Sequence, residues 1–143
     1  MEYQLYGDGI HDDYPAIQEM IDSGLCEVSL PAPKKNYLIT KPLIIPSNFK
    51  LKLPRFAEIK LADGANCFML QSKTVSKPEK RLRDFLTPLE KGLWYYIDEL
   101  SPDCEDVCSN FEIEGGIWNF NNKNQDPNPI QTGKYDERHF LGH

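Results

Sequence analysis

Gly7-Asp8-Gly9-Ile10-His11-Asp12-Asp13-Tyr14-Pro15-Ala16-Ile17-Gln18-Glu19-Met20-Ile21-Asp22 is the stretch on which the reading of the fold turns. Asp12 or Asp13 suits an N-cap, because a carboxylate there accepts orphan backbone N–H groups. Pro15 falls in the first turn, where its missing donor costs little. Ile17, Met20 and Ile21 follow at i, i+3, i+4 spacing and make one apolar face. Gly24 stands where a C′ glycine is expected. The spacing predicts a helix within 12–24. A helix of about ten residues is too short to be stable alone, so its apolar face must dock on something.

Beyond this stretch the period changes. Short apolar runs recur at Val28–Leu30, Tyr37–Ile39, Leu43–Ile45, Phe49–Leu53, Ala57–Leu61 and Phe68–Leu70. Turn residues separate them: Pro31-Ala32-Pro33, Lys41-Pro42, Pro46-Ser47-Asn48, Leu53-Pro54 and Asp63-Gly64-Ala65-Asn66. Phe49, Leu51 and Leu53 alternate with Lys50 and Lys52, and Ile59 and Leu61 with Glu58 and Lys60. This is period-two patterning with one buried face. Leu30 to Leu51 and Phe49 to Phe68 suggest a repeat of roughly 20 residues, which suits stacked coils of short strands. A β-sandwich gives a similar density of strands.

Composition bounds the rest. The 143 residues suffice for one domain, 1–143, with a modest core. A 40% hydrophobic fraction places the chain outside the disordered class. A net charge of −6 and a pI near 5.0 make it a poor fit to nucleic-acid phosphates. An acidic sugar would need a local basic patch. The run Lys73, Lys77, Lys80, Arg81, Arg83 and Lys91 offers one, followed by the acidic Asp98, Glu99, Asp103, Glu105 and Asp106. Both runs read first as solvated faces of an insertion over 73–109. No apolar run is long enough to span a membrane, and no basic-then-apolar leader opens the chain. Cys104 and Cys108 lack nearby histidines, which argues against zinc and leaves a local disulfide open. Cys26 and Cys67 flank apolar runs and read as buried thiols.

The segment Gly7 to Ile21 resembles the "GDG-x-x-DD-x-x-AIQ-x-x-I" signature of the pectin-lyase-like right-handed parallel β-helix proteins. Pro42-Leu43-Ile44-Ile45-Pro46-Ser47-Asn48-Phe49-Lys50-Leu51 and Ala57-Glu58-Ile59-Lys60-Leu61 resemble coils of the same superfamily. The likeness runs from Gly7 to about Leu70. Ile113-Glu114-Gly115-Gly116-Ile117-Trp118-Asn119-Phe120-Asn121 resembles the "I-x-G-G-x-W-D-G-N" segment of glycoside hydrolase family 28, the polygalacturonase-like enzymes. Asn119 departs from that family's acid, and Phe120 from its glycine. The resemblance implies an all-β right-handed parallel β-helix with a short N-terminal capping α-helix. It also implies export, to the secreted or periplasmic space, and a polysaccharide substrate.

Glycosidases of this kind use two carboxyl groups flanking the bond. In family 28 the N-x-D, Asp-Asp, G-H-G and R-x-K motifs lie on coils well beyond the glycine-tryptophan segment. Asn124-Gln125-Asp126, Asp12-Asp13 and Gly142-His143 imitate three of them in the wrong order, so no residue here is assigned a catalytic role. Trp118, Asn119, Asn121 and Trp94 are the candidate substrate-binding residues. Trp94, Tyr95 and Tyr96 read first as packing and second as a sugar platform. Asp8, Asp12 and Asp13 carry hard oxygen ligands suited to calcium, but helix capping explains them more simply. His11, His139 and His143 read as solvated. No metal or cofactor is implied.

The chain is therefore expected to be the N-terminal part of a polysaccharide-degrading protein acting on pectin-like or other acidic glycans, with the catalytic residues beyond it. The alternatives are a stand-alone carbohydrate-binding or assembly module and a polysaccharide lyase. Polar residues 122–143 offer no apolar cap, so the last coil is expected either to continue in a longer chain or to self-associate through its open strands.

Overall fold

The computed structural model describes residues 3–73 and 108–125. The expected insertion at 73–109 falls almost wholly outside the described residues, as do Trp94, Asp126, His139 and His143. Among the described residues one helix, α1 (Tyr14–Ile21), precedes eight short strands: β1 (Glu27–Ser29), β2 (Tyr37–Ile39), β3 (Leu43–Ile45), β4 (Phe49–Lys52), β5 (Glu58–Leu61), β6 (Leu70–Ser72), β7 (Phe111–Glu114) and β8 (Ile117–Asn119). The strands form three parallel sheets, ordered β1-β4-β7, β2-β5-β8 and β3-β6. Successive strands pass from sheet to sheet, and every third strand returns beside an earlier one.

The alternation read from the sequence sets which side chains meet. Val28 lies beside Leu51 and then Ile113, and Tyr37 beside Ile59 and then Trp118. These inward rows, with Ile39, Leu43, Ile45 and Leu61, form one core. Ile39, Leu43, Leu51, Ile59 and Leu61 have no exposed surface. Each such side chain contributes about 1.5–3 kcal/mol of transfer free energy. Burial lessens in the third row, where Ile113 and Trp118 pack only partly against the core.

Register departs from the expected repeat. Val28 meets Leu51, Tyr37 meets Ile59 and Leu43 meets Leu70, so the step is 23, 22 and 27 residues. Corner length is the reason. The corner after β5 absorbs Ala62 to Met69 and moves β6 two residues past the expected Phe68. The corner between β7 and β8 is only Gly115-Gly116, both at φ 77°.

The helix is shorter than 12–24, and Asp13 does not cap it with its side chain. Asp12 Oδ1 takes the Tyr14 N–H at 3.0 Å, and its Oδ2 takes the Thr40 hydroxyl at 2.6 Å. Asp13 is fully buried and turns inward. It accepts the amides of Tyr6 at 2.6 Å, Gly7 at 3.2 Å and Leu38 at 3.3 Å. Its own N–H donates to Leu38 O at 2.7 Å. Gln18 treats β3 similarly: Oε1 accepts from Ile44 N at 2.8 Å, and Nε2 donates to Ile44 O at 3.1 Å. Two side chains thus satisfy strand edges that water would otherwise have to meet. Ala16, Ile17 and Ile21 are buried beneath α1, while Met20 is only half-buried. The helix packs chiefly on β3, and Val28 and Leu30 belong to the same core.

Burial pushes the Asp13 carboxyl above its ordinary range, against the opposing pull of the Tyr6, Gly7 and Leu38 amides. A raised folded value means that the native state holds this proton to higher pH than the unfolded chain. The associated stability is full below the unfolded value and is lost as pH rises through the folded one. The stability of the wild type relative to Asp13→Asn should therefore fall as pH rises from below the ordinary aspartate value of about 3.9 to above the raised folded one. Urea unfolding at several pH values measures this, and a difference rising with pH would contradict it.

Candidate functional site

The candidate residues Trp118, Asn119 and Asn121 come together on and just after β8. They line an open groove of about 730 Å³ with Glu58, Ile117, Phe120 and the turn Asn122–Asn124. Strand alternation determines how each faces. Asn119 pairs with Lys60 on the outer side of the sheet, whereas Trp118 pairs with the buried Ile59. The Trp118 ring therefore belongs to an inward row, and its Nε1 donates to Gly115 O at 3.3 Å. Trp118 and Phe120 nevertheless both line the groove.

A chain of polar side chains crosses the site. Asn119 Nδ2 donates to Glu58 Oε1 at 2.8 Å, and its Oδ1 accepts the Asn121 amide at 2.9 Å. Asn121 adopts the left-handed backbone, φ 53°, which asparagine tolerates better than most residues. Its Nδ2 donates to Asp63 Oδ1 at 2.6 Å and to Leu61 O at 3.0 Å. Asn124 Nδ2 closes the run on Asn121 Oδ1 at 2.7 Å. The result is a rigid set of carboxamide and carboxylate groups beside aromatic rings. Such a surface can exchange hydrogen bonds with hydroxyl groups while the rings offer apolar contact.

Sequence reading missed Glu58, Asp63 and Gln125. Glu58 was legible as an outward position of an alternating strand. Its nearness to Asn119, 61 residues later in the chain, was not. Gln125 is 95% buried, its Oε1 accepting from Asn66 N at 2.8 Å and its Nε2 donating to Ala62 O at 2.9 Å. Residues 122–125 fold back on the corner after β5, and Gly64 N donates to Asn124 O at 2.8 Å.

The acidic residues of the opening stretch spend their oxygens locally. Asp8 accepts the amides of Ile10 and His11, both at 2.9 Å. Its Oδ2 lies 2.6 Å from His11 Nδ1, and these bonds hold its carboxyl well below the usual range. His11 also stacks on Tyr6 at 4.3 Å between centroids, so it is not the merely solvated histidine expected. Cys67 is half-buried, and burial raises its thiol pKa. Cys26 is exposed, contrary to expectation, because it lies just before β1 rather than inside it. The expected pairing of Cys104 with Cys108 falls outside the described residues, because Cys104 does. Among the described residues no helix is long and apolar enough to cross a membrane. No cluster of three or more metal-ligating side chains forms among them either.

Comparison with protein-family models, with curated proteins and with solved structures found no match to this chain.

Proposed function

We propose that the chain is a right-handed parallel β-helix of the pectin-lyase-like kind and belongs to a polysaccharide-degrading protein resembling the family 28 glycoside hydrolases. One observation carries this reading: three strands recur in the same order and pair in parallel, with stacked apolar rows inside. A sandwich of antiparallel strands would pair them otherwise. In this reading the groove at β8 holds sugar hydroxyls through Asn119, Asn124 and Glu58, and Trp118 offers ring surface to a sugar face. The order of the family's motifs assigns the catalytic carboxyl pair to coils beyond this chain.

Incubation with polygalacturonate should release neither reducing ends nor unsaturated products. Titration with pectic and neutral oligosaccharides should detect binding. Asn119→Ala should weaken it about tenfold, since losing a hydrogen bond of about 1.4 kcal/mol has that effect. Absence of binding to every glycan tried would sink the glycan reading. Turnover abolished by Asp126→Asn would instead overturn the placement of the catalytic pair. The same groove also supports a stand-alone carbohydrate-binding module, which would bind equally well and never be accompanied by catalytic coils.

A further inference from the structure

A second and larger groove, of about 1070 Å³, lies at the first row of strands, between α1 and β1. Its wall is a strand edge. Lys50 N donates to Cys26 O at 2.8 Å, and Leu30 N donates to Lys52 O at 2.9 Å. In a parallel ladder this alternation turns the backbone groups of residues 26, 28 and 30 toward β4. Glu27 and Ser29 point theirs the other way, into the groove. Among the described residues no backbone group meets them, and β1 has β4 as its one partner strand. Asp13 and Gln18 cover the edges of β2 and β3, so among the described residues β1 is the edge of the first row left open.

Charge indicates what would fit this edge. Across the sheet the outward side chains alternate in sign: Glu27, then Lys50, then Glu112. Lys50 Nζ bridges to Glu112 at 3.4 Å and also to Glu114. A further strand beside β1 would complete the row with a cation opposite Glu27, since opposite charges on adjacent strands attract and like charges repel. Asp22 adds acid to the same groove, while its cation Lys41 lies over the Tyr14 ring at 5.9 Å. Leu25, 63% exposed, and the half-buried Met20 give the alternate side chains of such a strand apolar surface.

We propose that this groove binds an extended peptide as an added strand on β1, with lysine or arginine at the outward positions and apolar residues between them. Backbone pairing with Glu27 and Ser29 supplies the attraction common to all sequences, and the acidic rim supplies the selectivity.

The test uses the full chain and two fluorescent peptides, one alternating lysine with valine and one alternating glutamate with valine. The lysine peptide should bind at least tenfold tighter, weaken with added salt, and slow hydrogen exchange at the Glu27 and Ser29 amides. Ser29→Pro removes a donor that faces the groove and not β4, and should lower affinity at least tenfold. Glu27→Lys leaves the backbone intact and should shift preference toward the glutamate peptide, which keeps the test decisive if the proline variant misfolds. Equal binding of both peptides, no binding, or binding without protection at Glu27 and Ser29 would overturn the proposal. So would a self-associating chain in which β1 pairs with a second copy.

Discussion

Gly115→Ala is expected to destabilise the fold by about 2–5 kcal/mol. Two effects combine. At φ 77° an alanine sits in the left-handed region, at a cost of about 1–2 kcal/mol. Its Cβ would also fall well inside the contact distance of the Leu53 carbonyl oxygen. That carbonyl cannot swing aside freely, because the Leu53 N–H is bonded to Glu114 O at 2.9 Å and the Leu53 side chain is buried. Overpacking of this kind costs about 1–3 kcal/mol more. Gly64→Ala is the matched control. Its φ of 70° brings the same backbone strain, but a Cβ there meets nothing within 4 Å. Urea unfolding of the two variants should separate them by at least about 1 kcal/mol. Equal midpoints would mean that β7 and β8 are not joined by the tight corner described above.

Ile21→Asp should cost a similar amount, about 4 kcal/mol, and lower the melting temperature by roughly 10 °C or more. Ile21 is 2% exposed at the end of α1, in the core shared with Val28 and Leu30. Aspartate there loses the apolar contacts and places a charge in the apolar core. Ile21→Ala separates these parts, because it removes the contacts alone, at about 2–4 kcal/mol. The gap between the two variants should narrow as the pH is lowered and the buried carboxyl takes up its proton. An unchanged melt for Ile21→Asp would show that α1 does not plug the first row of strands.

Local rules determined the pieces of this protein. The spacing of Ile17, Met20 and Ile21 determined a helix and its buried side, and the alternations around Leu51 and Ile59 determined strands with an inward face. Those signals concern neighbours in the chain, so periodicity can carry them. Pairing does not follow in the same way. Corners of unequal length lie between the strands, and a repeat near 20 residues had to give way to steps of 23, 22 and 27. Asp13 illustrates the difference. Its place at the start of a helix suggested a cap, yet the inward turn of the chain after Gly7 puts three amides around its carboxylate, and burial rather than capping governs it. Trp118 and Asn119 are adjacent in sequence and face opposite sides, because Ile59 and Lys60 do so on the strand they join. The link from Glu58 to Asn119, and the edge at Glu27 and Ser29 that no other described strand pairs, exist only once strands far apart in the chain lie side by side. Sequence alone thus determined the helix, the strands and their inward faces. Tertiary structure alone decided register, grooves and open edges, because hydrogen bonds between strands depend on which distant segment arrives, and no local pattern encodes that.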